Sequence, residues 1–168
     1  IAIVEIGLDY FQSEKTFTNQ LKAFEIQCEI AINKKLPIVI HTRNSIDESI
    51  NVIKKYSNKN IKGVFHCFTG DLKQANQIID LGFKIGVGGI LTFKNSNLKN
   101  VISKIDLSSI LLETDSPYLS PEPNRGKLNE PSNIKYVAKK LSDILSIPIE
   151  VVAKVTSQNA NNLFDLSS

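Results

Sequence analysis

The sequence predicts an α/β fold built on a parallel sheet, and three observations carry that reading. Short apolar, β-branched runs alternate with amphipathic helical stretches along the chain, a pattern that requires parallel strands with helices laid over them. The apolar runs are nearly continuous, as in strands covered on both faces. Four of the five runs end in a metal-ligating residue type, and the carboxyl ends of β/α strands are where such folds carry their chemistry.

The elements follow in order. "IAIVE" is the first strand. From Lys15 to Lys34, apolar residues at Phe17, Leu21, Phe24, Cys28 and Ala31 recur every three or four positions and define one helix face. "PIVIH" begins a second strand at Pro37. Ile46, Ile50 and Ile53 mark a helix that ends near the turn cluster "YSNKN". "KGVFHC" is the third strand. Asp71 is placed to cap the next helix, with Leu72, Ala75, Ile78 and Ile79 inward and Gly82 just past its end. "FKIGVGG" is the fourth strand, Leu98, Val101, Ile102 and Ile105 carry a helix, and "SILLETD" is the fifth strand. A helix from Pro131 to about Leu145 turns Ile134, Val137, Ala138 and Leu141 inward, and a last short helix is predicted over Ser157 to Phe164. Pro131 and Pro148 each suit a helix first turn. No linker or low-complexity tract interrupts the pattern, so residues 1–168 are read as one domain.

Composition narrows the class. With 42% hydrophobic and 22% charged residues the chain has enough apolar side chains for a packed core. A net charge of +3 is a weak lean toward anionic partners. Two isolated cysteines, Cys28 and Cys67, make no disulfide framework, which favours a reducing cytoplasm. No apolar stretch approaches the ~18 residues of a membrane span. The chain contains no methionine and opens in mid-strand, so we expect a C-terminal portion of a longer protein.

The strand ends carry the functional signal. "IAIVE" ends in Glu5, "PIVIH" in His41, "GVFH" in His66 and "SILLETD" in Asp115; only "FKIGVGG" offers no ligand. Parallel strands put all of these at one end of the sheet. Two imidazoles and two carboxylates suit a divalent cation such as zinc, manganese or magnesium. Each residue alone has an ordinary structural reading as a turn former, cap or buried histidine. The coincidence of all four, including both histidines of the chain, favours a site. Strand alternation puts Glu113 on the side of Asp115, either orienting a ligand or serving as a buried structural acid.

The following loops add cations. Arg43 lies two residues past His41, and Arg125 and Lys127 sit in "PEPNRGKLNEP". Beside a metal cluster they suit a phosphate-bearing substrate, although Lys127 is equally well a solvated loop residue. Tyr10, Phe68 and Tyr118 follow strand ends, either to stack on bases or to seal the rim.

With these residues in place, "EIGLDY", "PIVIHTR", "GVFHCFTG", "IGVGGILTFKN", "LLETDSPYLSPEPNRGKLNEP" and the closing "VTSQNANNLF" resemble the TatD family of metal-dependent deoxyribonucleases. The resemblance implies a (β/α)8 TIM barrel of the metal-dependent hydrolase type, with only the last five strands present here, about 90 residues short of the roughly 250 typical of such a barrel. It implies two divalent metal ions, with Glu5 bridging both, His41 and His66 on one and Asp115 on the other. The family's first strand carries a His-x-His pair that this chain lacks. The implied activity is hydrolysis of phosphodiester bonds in DNA by a metal-activated water. Asp115 would be the catalytic proton acceptor, and Arg43, Arg125 and Lys127 would bind phosphates. A cytoplasmic monomer acting on DNA is the expectation. The alternatives are an amidohydrolase-type enzyme for a non-nucleic ester or amide, and a non-catalytic half-barrel.

Overall fold

The computed structural model describes residues 1–11 and 16–166. Five parallel strands form one sheet in the order β1-β2-β3-β4-β5: Ile3–Asp9, Ile38–Arg43, Gly63–Phe65, Lys84–Val87 and Ile110–Leu112. Sequential order with every pair parallel is what a repeated strand–helix unit produces. The helices are α1 (Phe17–Lys34), α2 (Ile46–Lys54), α3 (Leu72–Asp80), α4 (Leu98–Ile102), α5 (Ile134–Leu145) and α6 (Ile149–Phe164). The sequence started the first helix at Lys15, which lies outside the described residues.

Alternation along each strand divides the sheet into two faces. Ile38, Ile40, Phe65, Ile85 and Ile110 enter the main core, together with Phe24, Cys28 and Ala31 of α1, Ile50 and Ile53 of α2, Ala75 and Ile78 of α3, and Val137 and Leu141 of α5. On the other face Val39, Val64 and Leu111 form a small cluster with Ala160, Leu163 and Phe164 of α6. The face covered by α6 is the one that continues into the site.

Local rules account for the helix ends. Asp71 caps α3 as its position predicts: its carboxylate accepts from Gln74 N at 2.8 Å, and the Gln74 side chain accepts from Asp71 N at 3.0 Å. Gly82 follows with φ of +81°.

Two helix assignments need correction. The last helix begins at Ile149, not Ser157, with Pro148 as its N-cap. Its buried stripe is Val152, Thr156, Asn159 and Leu163; the first half of the helix is dominated by the β-branched Ile149, Val151, Val152 and Val155, which are weaker helix formers and blur its helical signal. Pro131 opens a single 3₁₀ turn, Pro131–Asn133, and α5 proper starts at Ile134. Ile134 is 38% exposed rather than inward, because the first residue of the helix has not yet rotated onto the packed face.

Candidate metal centre

The strand that carries Glu5 is longer than its apolar run. β1 extends to Asp9, so Glu5 is inside the strand and not at its end. Between Ile3 and Ile6 the register shifts: Ile3 pairs with Ile38 and Ile6 with Ile40, three steps against two. That irregularity places Val4 and Glu5 consecutively on the exposed side and aims Glu5 toward the neighbouring strand ends. Gly7 then lies opposite His41 with φ of +141°, and a Cβ there would fall 2.0 Å from the His41 carbonyl oxygen. Only glycine lets β1 close on β2 at the level of the histidine.

His41 lies within β2, and His66 follows β3 directly. Donor atoms of Glu5, His41 and His66 all lie within 4.8 Å of one another. The imidazole centroids are 5.8 Å apart, and His66 Nε2 is 3.9 Å from Glu5 Oε1. His66 is nearly buried, while Glu5 is exposed to the cavity. Asp115 lines the same cavity of about 740 Å³ with Glu5, His41, His66 and Arg43, but its carboxylate does not join the close trio. Its backbone is left-handed at φ +55°, which turns the chain back over the strand end.

Glu113 takes the ligand-orienting position. Its Oε1 lies 3.5 Å from His66 Nδ1 and accepts from the Cys67 backbone N–H. Its own N–H donates to Val87 O at 3.1 Å, fixing it to β4. This also explains why "FKIGVGG" carries no ligand: a Cβ on Gly86 would lie 2.7 Å from Glu113 Oε2. The fourth strand contributes space for the carboxylate that steadies the third strand's histidine. With Nδ1 facing a carboxylate, Nε2 is the nitrogen left for a metal.

Two supporting residues escaped the sequence reading. Asp9 Oδ2 sits 3.5 Å from His41 Nε2, and Asp9 Oδ1 accepts from Phe11 N at 2.9 Å. It was hidden because Gly7 ends the apolar run; continuing the strand past the glycine would have exposed it. Asn129, 4% exposed, donates to Thr114 O at 2.6 Å and Tyr118 O at 2.7 Å, and its N–H donates to Pro117 O at 3.0 Å. It pins the loop that presents Asp115. Nothing but its place among loop-forming residues distinguishes it in the sequence.

The electrostatics fit a cation. Burial lowers the His66 pKa, but contact with Glu113 and the charges of Glu113, Glu5 and Asp115 outweigh it and the net shift is upward. Burial, with Glu113 and Glu5 adding to it, raises the Asp115 carboxyl against the opposing pull of His66 and His41. Burial first, then Glu113, Asp115 and Glu5, pushes the Cys67 thiol up to about 12, which keeps it protonated and a poor ligand. One carboxylate with two imidazoles is a donor set that divalent cations accept.

The remaining site residues divide. Arg43 lines the metal cavity, its guanidinium carbon 3.6 Å from the Phe11 ring centroid. Arg125 lines an adjoining groove, 3.5 Å over Phe93. Lys127 is exposed and lines neither. Phe68 is 1% exposed within the main core and unavailable to a base. Tyr10 stacks on Phe17 with centroids 3.8 Å apart. Tyr118, 70% exposed and lining the metal cavity, is the aromatic that remains accessible.

The chain is similar to several known proteins. A metal-dependent hydrolase of Buchnera aphidicola, itself described as uncharacterized, is 43% identical over 99% of this chain and 63% of its own length. YabD of Bacillus subtilis, described in the same terms, is 36% identical over 99% of the chain and 66% of its own length. The crystal structure of YjjV, a TatD homolog from Escherichia coli K12, superposes with a TM-score of 0.93 at 33% identity, over 99% of this chain and 64% of that one. The chain thus spans a little under two thirds of the length of the proteins it matches. The sequence profile of the family described as TatD related DNase matches residues 1–165, and with relatives of this similarity the chain belongs to that family.

Proposed function

We propose that this chain carries the metal-binding half of a divalent-metal-dependent hydrolase that cleaves phosphodiester bonds in DNA. The observation behind the proposal is the convergence of Glu5, His41 and His66 within one cavity that also holds Asp115 and an arginine. We read the five strands as the last five of an eight-stranded barrel, in keeping with the share of each relative that the chain covers. Two divalent cations are part of the proposal, and Glu5, His41, His66 and Asp115 are the residues that would hold them.

When bound, a divalent cation supplies Lewis acidity, neutralising phosphoryl charge and acidifying water. The chain's own residues do the rest. Glu113 and Asp9 hold the two imidazoles in place. Arg43, its guanidinium over the Phe11 ring, offers its N–H groups to a phosphate oxygen and opposes charge as it develops in the transition state. Asp115, whose carboxyl is raised by burial, accepts the proton of the attacking water and delivers it to the leaving oxygen. A cytoplasmic monomer is proposed. Among the described residues no helix is long and apolar enough to cross a membrane, and both cysteines are free.

The test is hydrolysis of bis(p-nitrophenyl) phosphate and of single-stranded DNA with Mg²⁺, Mn²⁺ or Zn²⁺ added, against EDTA. Cation-dependent cleavage of both, lost in Asp115→Ala, is expected. Cation-dependent cleavage of p-nitrophenyl acetate with both phosphodiesters untouched would replace the phosphodiester reading by an ester one.

A further inference from the structure

Asp115 stands in a long connection, residues 113–130, that has little apolar weight of its own: Tyr118 is 70% and Leu128 81% exposed. The middle of this connection rests on the turn Gly89–Thr92, where the Glu122 N–H donates to Thr92 Oγ1 at 2.9 Å. The stretch around Asp115 is held by a different device.

Three asparagine side chains form a line of hydrogen bonds into it. Asn124 Nδ2 donates to Asn133 Oδ1 at 3.0 Å, and Asn133 Nδ2 donates to Asn129 Oδ1 at 2.9 Å. Asn129 Nδ2 donates in turn to Thr114 O at 2.6 Å and Tyr118 O at 2.7 Å. Thr114 precedes Asp115, and the Tyr118 N–H donates to Asp115 O at 2.8 Å. One amide therefore closes the turn that carries Asp115 from both ends. Backbone groups dictate the direction of the line. The two loop carbonyls can only accept, so Asn129 must turn its NH₂ toward them. Its Oδ1 then faces donors: the Glu130 N–H at 2.9 Å, and the Asn133 amide. With its NH₂ so engaged, Asn133 is left with Oδ1 to accept from Asn124.

Asn129 and Asn133 are each 4% exposed, and a buried polar network whose donors and acceptors are matched is stiff. Asn133 lines neither cavity. It stands directly before α5, whose Val137 and Leu141 lie in the main core. We propose that Asn133 is a positioning residue for Asp115: through Asn129 it ties the turn Thr114–Tyr118 to the fixed start of α5 and so keeps the Asp115 carboxylate at the wall of the metal cavity. The inference rests on the role given to Asp115 above and adds to it a residue that touches neither the metal ligands nor the cavity. Asn133→Asp probes it with the least change of shape. The aspartate still accepts from Asn124 but has no donor, and it sets an anionic oxygen against Asn129 Oδ1. Asn129 must then turn or retreat, and the loop carbonyls lose their donor.

The experiment uses the full chain, with Asn159→Ala as a matched control. Asn159 is also buried and donates to two carbonyls, Leu107 O at 2.9 Å and Ile110 O at 2.8 Å, at the opposite end of β5 from Asp115. With no cation added, hydrogen exchange of the Tyr118 amide, read by NMR, speeds up about ten-fold in Asn133→Asp and keeps its wild-type rate in the control. With Mn²⁺, calorimetric affinity falls about ten-fold in Asn133→Asp. Its kcat for bis(p-nitrophenyl) phosphate falls about ten- to a hundred-fold with KM nearly unchanged. The control keeps wild-type affinity and kcat, although both variants melt at a lower temperature. Asn124→Ala, one bond further from Asp115, gives the same changes in smaller degree. In an Asn129→Ala background Asn133→Asp adds nothing, because its route to the turn is already cut. Unchanged exchange at Tyr118 in Asn133→Asp overturns the proposal. Faster exchange in the control as well, or faster exchange with affinity and kcat intact, makes Asn133 a structural residue and overturns it too. Wild-type protein that neither binds a divalent cation nor cleaves with one overturns the metal-hydrolase reading instead, and the exchange rates alone then decide whether Asn133 holds the turn.

Discussion

The two faces of the sheet come from the same strands by simple alternation, yet they are filled differently. One face seats Ile38, Ile40, Phe65, Ile85 and Ile110, each at 0% exposure, under a layer of helices. The other has only Val39, Val64 and Leu111 against the end of α6. Two residues further along those strands, on that second face, come His41, His66 and Glu113. The comparison separates two jobs within one strand. Neighbouring residues alternate between holding the fold and forming the site, so a polar cluster that would weaken a core is placed where little core exists to weaken.

The sharpest way to break the comparison is at Phe65 and His66, adjacent residues on opposite faces. Phe65→Ala empties a fully buried aromatic site and should cost about 3–5 kcal/mol, read from denaturant unfolding. His66→Ala should cost about 1–2 kcal/mol, since Glu113 keeps its bond from Cys67 N, while calorimetric binding of a divalent cation disappears. If the two substitutions lowered stability alike, the division between faces would be lost.

Glu113 sharpens the same contrast from inside the site. Glu113→Gln keeps the shape and removes the charge facing His66 Nδ1, so cation affinity should fall about 10- to 100-fold. The pH dependence carries a second signature. A cation takes only the neutral imidazole, so binding is complete above the His66 pKa and is lost as pH falls through it. Burial pulls that pKa down, yet Glu113, Glu5 and Asp115 raise it above the ordinary histidine value. Removing the Glu113 charge lowers it, and the acid limb of binding should shift to lower pH even as maximal affinity drops. A glutamate that served only as filler would leave the acid limb in place.

Much of this was legible in the sequence, and the exceptions have physical reasons. The parallel order, the five apolar runs and the capping of α3 by Asp71 followed from periodicity and local chemistry. His41 and His66 come together because a parallel sheet gathers its strand ends whatever their separation along the chain, whereas Glu5 joins them from inside β1, through a register shift that the sequence does not announce. Asp9 was not legible, because a strand continued through Gly7 by close approach to β2 looks in sequence like a strand that has stopped. Asn129 was not, because a side chain that works by donating to the loop carbonyls of Thr114 and Tyr118 leaves no periodic trace. The first half of α6 was not, because the β-branched Ile149, Val151, Val152 and Val155 are weaker helix formers.

That last case makes the gentlest prediction. Asn159 donates to Leu107 O at 2.9 Å and to Ile110 O at 2.8 Å, joining α6 to the start of β5. Thr156, on the same buried stripe, donates only to Val152 O of its own helix at 2.9 Å. Asn159→Leu leaves two carbonyls without that donor and should cost about 1–3 kcal/mol in unfolding free energy. Thr156→Val removes a bond the helix does not need and should stay within about 0.5 kcal/mol of wild type. Equal costs would mean that the stripe is held by packing alone. The expected gap would show that α6 is fastened to the site-bearing face by specific polar bonds where the apolar cluster of Val64, Leu111 and Leu163 is too small to hold it alone.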